Sequence, residues 1–225
     1  LETMLPYFYE QPGNAASRSH PFGWVATEAV DLAREQTAAL LGAEAREIVF
    51  TSGATGSLNL AIKGVFEMYH RKGKHIITVT TEHKAVLDTC HAVEKKGGEV
   101  TYLPTNEAGL LDLEQLDRAI RPDTILVAIM WANNETGLIQ PMEEIGSICN
   151  RHGVLLLSDA TQAIGKIPVL PKTVGAHLVA FSAHKLYGPK GVGGLFVNHR
   201  APRVRLTPQL DGGGHEHGFR SGTLN

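Results

Sequence analysis

Cysteine is scarce: Cys90 and Cys149 are the only two in 225 residues. Two thiols cannot build a disulfide framework, and they fit a reducing compartment. An excess of one charge is lacking too. Lys and Arg number 21 against 23 Asp and Glu, a formal charge of -2, so composition gives no reason to expect nucleic acid or an anionic membrane. The longest apolar run, Ile125 to Ala132, falls far short of the ~20 residues a membrane-spanning helix needs. No internal repeat, low-complexity tract, Pro/Ser linker or secretory signal is visible. What is present is ordinary for a globular chain: 43% hydrophobic and 20% charged residues exclude disorder and leave ample length for a core. The chain opens on Leu1 and closes on Gly222-Thr223-Leu224-Asn225, so it is expected to be a piece of something longer.

Hydrophobic period switches repeatedly. Residues 22 to 41 carry Phe22, Val25, Ala29, Val30, Ala33, Thr37, Leu40 and Leu41 on one predicted helical stripe, with Gly42 as its C-terminal cap. Leu58, Ile62, Val65, Phe66 and Tyr69 mark a second helix, and further helical stripes fall at 84–96, 112–120 and 142–152. Between them lie strand-like runs at 47–50, 75–79, 100–103, 125–130, 154–157, 178–181 and 194–197. Strands apolar on both faces, alternating with helices, predict one α/β domain: a mostly parallel sheet with helices on both faces. Ligands in such sheets bind in loops that leave the carboxyl ends of strands.

Several of those loops have unusual chemistry. Thr51-Ser52-Gly53-Ala54-Thr55-Gly56-Ser57 lies between a strand and a helix and would aim free N–H groups at an anion, or would simply be a capped helix start. It is no nucleotide P-loop, and Gly-x-Gly-x-x-Gly is absent. Asp159 ends a buried strand, where a carboxylate needs a cation, a metal or a protonated ring nitrogen; a helix N-cap is the plainer alternative. Lys185 follows an apolar strand between His184 and Leu186, with Ser182 just before. Desolvation there would make it a nucleophile toward a carbonyl, as a Schiff-base lysine must be, unless it is a surface residue at a strand end. His83 could stack on an aromatic ring or cap a helix, and Asn134 could donate to a phenolate oxygen or make a turn. A phosphate cradle, an acid for a ring nitrogen, a stacking His and a carbonyl-condensing Lys together describe a pyridoxal phosphate site.

On these residues the chain resembles the cysteine desulfurases, in the class V aminotransferase group of fold-type I pyridoxal phosphate enzymes. The resemblance is carried by Gly13-Asn14-Ala15-Ala16-Ser17-Arg18-Ser19-His20, Phe50 to Thr55, Thr81-Glu82-His83-Lys84-Ala85-Val86-Leu87, Asn133-Asn134-Glu135 and Asp159-Ala160-Thr161-Gln162. It continues through Ser182-Ala183-His184-Lys185-Leu186-Tyr187-Gly188-Pro189-Lys190-Gly191 and Arg220-Ser221-Gly222-Thr223. It implies that residues 1–225 are the large cofactor-binding domain of such an enzyme. It implies that Lys185 holds pyridoxal 5'-phosphate covalently and later moves protons, and that Asp159 pairs with the ring nitrogen. His83 would stack on the ring and serve in acid–base steps, while Gln162 and Asn134 bond the phenolate side and substrate. Ala54, Thr55, Ser182 and His184 would hold the phosphate. Thr223 would reach the phosphate of a neighbouring subunit, which implies a homodimer.

The implied activity is that of a sulfurtransferase. L-cysteine is converted to L-alanine, and sulfur passes as a persulfide toward an iron–sulfur scaffold or another acceptor protein, in the cytoplasm or, in a eukaryote, the mitochondrial matrix. The family's first segment would precede Leu1. Its small domain, substrate-clamping arginine and loop with the nucleophilic cysteine would follow Asn225. The family usually has an acidic residue where Gly56 stands and a polar one where Leu58 stands, so local packing there is expected to differ. Cys90 and Cys149 read as small buried side chains rather than substitutes for that nucleophile. His215-Glu216-His217 invites a metal, but no third ligand has a matching spacing. A selenocysteine lyase, a cysteine sulfinate desulfinase relative and a non-catalytic truncated platform are the alternative readings.

Overall fold

Helices and strands alternate in the order the patterning predicts. The computed structural model describes residues 1–225. A one-turn helix α1 (Pro6–Tyr9) and α2 (Pro21–Leu40) precede β1 (Ile48–Thr51), α3 (Ala54–Tyr69), β2 (His75–Val79), α4 (Lys84–Glu94) and β3 (Glu99–Leu103). Then come α5 (Leu113–Ala119), β4 (Thr124–Ala128), α6 (Met142–His152), β5 (Leu155–Asp159), β6 (Leu178–Ser182) and β7 (Gly193–Val197). Short 3-10 turns lie at Ala45–Glu47, Ala183–Lys185 and Glu216–Gly218.

The strands form one seven-stranded sheet in the order β1-β7-β6-β5-β4-β2-β3. Strands β6, β5, β4, β2 and β3 are mutually parallel, while β7 runs antiparallel to both β1 and β6. Apolar side chains leave both faces, as a doubly covered parallel sheet requires. On one face Leu155 and Leu157 of β5 meet Leu58 and Ile62 of α3 and Val86 and Cys90 of α4. On the other face Leu156 joins Leu41, Leu116 of α5 and Ile145 and Cys149 of α6. The alternation along β5 places Asp159 on the α3/α4 side, at the strand's carboxyl end.

Two expectations are corrected. Strand β3 is the sheet edge and is only partly buried, so it is not apolar on both faces. The predicted stripe of α2 is not its buried face: Phe22, Val25, Ala33 and Leu40 are exposed and Leu41 alone of the stripe is fully buried. The face turned inward carries Gly23, Ala26, Arg34 and Ala38. It is narrow because the chain before it lies close: a Cβ on Gly23 would sit 1.9 Å from Ser17 O. Arg34 then reaches across to Ile48 O at 2.8 Å. Gly42 (φ 59°) takes the left-handed position that ends α2, as predicted.

Candidate active site

The loops leaving β1, β2, β4, β5 and β6 converge on a cleft of about 830 Å³. Ala54, Thr55, His83, Asn134, Asp159, Gln162, Ser182, His184 and Lys185 all line it. Of the residues singled out in the sequence, Thr223 does not; it is exposed on the terminal segment.

The phosphate-loop candidate resolves into an uncapped helix end. Gly53 occupies the N-cap of α3 with no side-chain cap, and no acidic residue lies in the first turn. Thr51 Oγ1 accepts from Gly53 N–H at 3.3 Å and bonds Ser57 Oγ at 2.8 Å, so it stiffens the loop rather than capping the helix. The Ala54, Thr55 and Gly56 N–H groups donate to nothing within the chain. A sixteen-residue helix thus presents its positive end to the cleft. The loop's approach to β7 is tight: a Cβ on Gly193 would lie 2.5 Å from Gly53 Cα, so glycine is needed there. Gly56 lines the cleft and Leu58 is fully buried, so the apolar residue at that position is absorbed into the core.

Asp159 is buried, and one carboxylate oxygen accepts Thr161 N–H at 3.0 Å. The other oxygen makes no hydrogen bond within the chain. Burial pushes its carboxyl above the usual range, opposed by neighbouring Thr161 and by nearby His83. A cation bound beside it would relieve that cost. His83 takes up the capping role the sequence offered, and its ring faces the cleft. Its Nδ1 accepts Ala85 N–H at 3.0 Å, capping α4, while the ring lines the cleft. The cap leaves Nε2 to carry the proton of the neutral ring.

Lys185 ends the turn Ala183–Lys185 and makes no hydrogen bond or ion pair in the chain. It is exposed, so the desolvation argued from sequence is not supplied by this chain's own packing. The turn is held against backbone preference. Tyr187 sits at φ 63°, a left-handed conformation costing about 1 kcal/mol or more in a non-glycine residue, while Leu186 and Gly188 N–H both donate to Ala183 O. Ser182, almost fully buried, bonds His184 Nδ1 at 3.0 Å, which orients that ring. Gln162 accepts from Lys166 Nζ at 2.9 Å. The turn after β4 is made by Asn133, whose Oδ1 accepts from Glu135 and Thr136 N–H. Asn134 is therefore left to the cleft, held by Glu135 at 2.7 Å.

Sequence reasoning missed Met130, Asn59 and Lys190, which also line the cleft, and gave no role to Glu82. Lys190 stood inside the quoted motif; Met130 and Asn59 carry no signal beyond being near strand and helix ends. Cys90 and Cys149 are buried, with thiols pushed up to about 12 by burial, and neither lines the cleft. Glu216 is committed to Arg34 rather than exposed as a ligand, and no group of three potential metal ligands comes together. No helix is long and apolar enough to cross a membrane.

The fold has relatives among known proteins. A cysteine desulfurase IscS of Anaeromyxobacter sp. (strain Fw109-5) is 60% identical over the whole chain, which spans 55% of that protein. One from Glaesserella parasuis is 63% identical over 94% of the chain and 52% of its own length. The chain thus spans about half the length of the curated relatives it matches. Among solved structures, a NifS-like protein superposes with a TM-score of 0.95 at 42% identity, covering all of this chain and 61% of that one. A structure described as "SspA in complex with cysteine" gives 0.94 at 41%, covering 99% of this chain and 64% of its own. The family description "Aminotransferase class-V" matches residues 1–224, and the chain belongs to that family.

Proposed function

We propose that residues 1–225 are the large, cofactor-binding part of a pyridoxal 5'-phosphate-dependent cysteine desulfurase. The observation that carries this reading is the meeting, in one cleft, of an uncapped helix N-terminus, a buried acid with a free oxygen, a histidine ring and an unpaired lysine. These fit the cofactor's phosphate, ring nitrogen, ring face and aldehyde in turn. When bound, pyridoxal phosphate supplies an electron sink for bonds at the substrate's α-carbon.

The chain's own residues do the rest. The Ala54 and Thr55 N–H groups, with Ser182 and His184, bind the phosphate. Asp159 holds a proton on the ring nitrogen, which its buried setting favours because a cation there neutralises a costly charge. His83 would lie against the ring, and its Nε2, left free by the cap, would be available to exchange a proton with substrate. Lys185 would hold the cofactor's aldehyde carbon and would be the group placed to move a proton at the substrate's α-carbon. Gln162 and Asn134 orient the phenolate side.

L-cysteine as substrate is supported by the names of the relatives and by the cysteine complex of a similar structure. Sulfur would leave as a persulfide on a thiolate other than Cys90 or Cys149, since both are buried away from the cleft. It would pass to an iron–sulfur scaffold or another acceptor protein. The free state of both cysteines supports a reducing, cytoplasmic setting. A homodimer rests on the family resemblance, in which Thr223, exposed and outside this chain's own cleft, would serve a neighbour's phosphate.

The test is an absorbance spectrum with pyridoxal phosphate, borohydride reduction and mass mapping. Label on Lys185, abolished in Lys185→Ala, is the expected result. A folded protein that takes no label, or carries it on Lys190, overturns the reading.

A further inference from the structure

Strand β2 parts from β4 after Thr78, the last residue in register with Ala128. Thr80 N–H donates instead to Leu103 O of β3 at 2.9 Å. Ile129 and Trp131 donate to Leu157 O and Asp159 O of β5, so the Met130 N–H between them faces the gap that β2 has left. A buried amide without an acceptor is costly. Glu82 closes the gap: Met130 N–H donates to its Oε1 at 2.5 Å. The Glu82 carboxyl is enclosed, its Oε2 has no partner, and no basic side chain bonds it. The titratable groups that bear on it are Asp159 at the end of β5 and the Cys90 thiol of α4, neither of them positive.

We propose that Glu82 is a neutral carboxylic acid and a positioning residue. It replaces the departed strand at Met130, thereby fixing the loop that carries His83, and by bearing no charge it leaves Asp159 the one buried carboxylate for a protonated ring. The inference rests on the cofactor reading above for its purpose, but not for its chemistry. An ion at this place would be buried without a counter-charge, which proteins avoid by taking up a proton. Burial holds the Glu82 carboxyl well above its ordinary range; the Met130 bond opposes this and the charge of Asp159 adds to it.

Infrared difference spectra of the cofactor-free protein at neutral pH, wild type minus Glu82→Gln, test the protonation state. The carbonyl stretch of a protonated carboxylic acid is expected in the wild type alone; a carboxylate band in its place overturns the proposal. Affinity for pyridoxal phosphate tests the positioning. Glu82→Gln, neutral and still able to accept from Met130, is expected to bind within about twofold of wild type. Glu82→Leu, which leaves that N–H without an acceptor, is expected to bind about tenfold more weakly or worse. Equal losses in both variants overturn the proposal. Should Glu82→Leu not fold, Glu82→Asp, too short to reach Met130, takes its place. A wild type that never takes up the cofactor would count against the function reading, while the infrared result would still decide Glu82.

Discussion

Glu216 and Asp159 are both carboxylates removed from water, at opposite fates. Glu216, in the turn after the glycine run, receives a two-pronged contact from Arg34 at 2.7 and 2.8 Å and a third donor from Phe50 N–H at 2.5 Å. Arg34 is itself completed by Ile48 O and by the Phe50 ring 4.7 Å away. Asp159 receives one backbone donor and no cation. The first group is saturated by its own chain and pins the terminal segment to β1 and α2. It also holds Glu216 and His217 in the left-handed region, at φ 49° and 58°. The second is left for something outside the chain to complete. A buried carboxylate with all its partners holds structure; one lacking them takes up a proton, as Glu82 does, or waits for a ligand.

The comparison breaks first if the saturated pair proves unimportant. Glu216→Ala would strand a buried guanidinium and the Phe50 N–H, and is expected to cost about 3–5 kcal/mol in urea unfolding. A loss under about 1 kcal/mol would mean the pair does not pin the terminal segment.

A buried base extends the contrast to acid pH. Leu156 N–H donates to His177 Nδ1, which only the neutral ring can accept, and burial pushes this imidazole down to about 4 from 6.5. Between those values the unfolded chain binds the extra proton and the folded chain does not. Stability from this group is therefore whole above about pH 6.5 and is lost as pH falls toward 4, by roughly 2–3 kcal/mol. His177→Gln is expected to flatten the pH dependence of the urea midpoint by that amount. An unchanged slope would show that His177 is not buried as a neutral base.

Asp159 runs the other way. Its raised carboxyl means the folded state binds the proton more tightly than the unfolded state, so stability declines as pH rises past the ordinary carboxylate range. Asp159→Asn is expected to raise the Tm of the cofactor-free protein by about 2–4 °C at neutral pH, as ~1 kcal/mol does in a chain of this size. The same variant should lose pyridoxal phosphate affinity about tenfold or more. Calorimetry and a cofactor titration check the two halves. A destabilised apo variant would place Asp159 with Glu216 rather than against it.

Much of this was legible in the sequence, for a local reason. Lys185, Asp159, His83 and the Thr51–Ser57 loop each follow a strand, and parallel strands bring their carboxyl ends together. What depends on distant segments was not legible. Arg34 and Glu216 lie 182 residues apart, so neither the buried cation nor the failure of the α2 stripe shows locally. Glu82 acquires its task only because β2 leaves β4. The exposure of Lys185 likewise depends on what packs over it. The antiparallel β7 was not legible either: the runs at 178–181 and 194–197 leave twelve residues between them, long enough for a parallel crossover, and only the observed strand ends shorten the connection to residues 183–192.

The smallest expected effect comes from moving the same chemistry to the surface. Lys96 Nζ lies 2.9 Å from Glu67 Oε1, nearly as close as the Arg34 contacts, and the hydrogen bond from Lys96 holds the Glu67 carboxyl below its ordinary range. Both side chains remain in contact with water, 53% and 31% exposed, so solvent and salt screen the pair and little desolvation is recovered when it is broken. Lys96→Ala is expected to cost no more than about 0.5 kcal/mol, and that cost should fade in ~1 M salt, where the screening length is about 3 Å. The Glu216→Ala loss, from a pair shut away from ions, should persist in the same salt. If the two variants lost equal stability, or lost salt sensitivity alike, burial would not be what separates a carboxylate that holds this fold from one that decorates it.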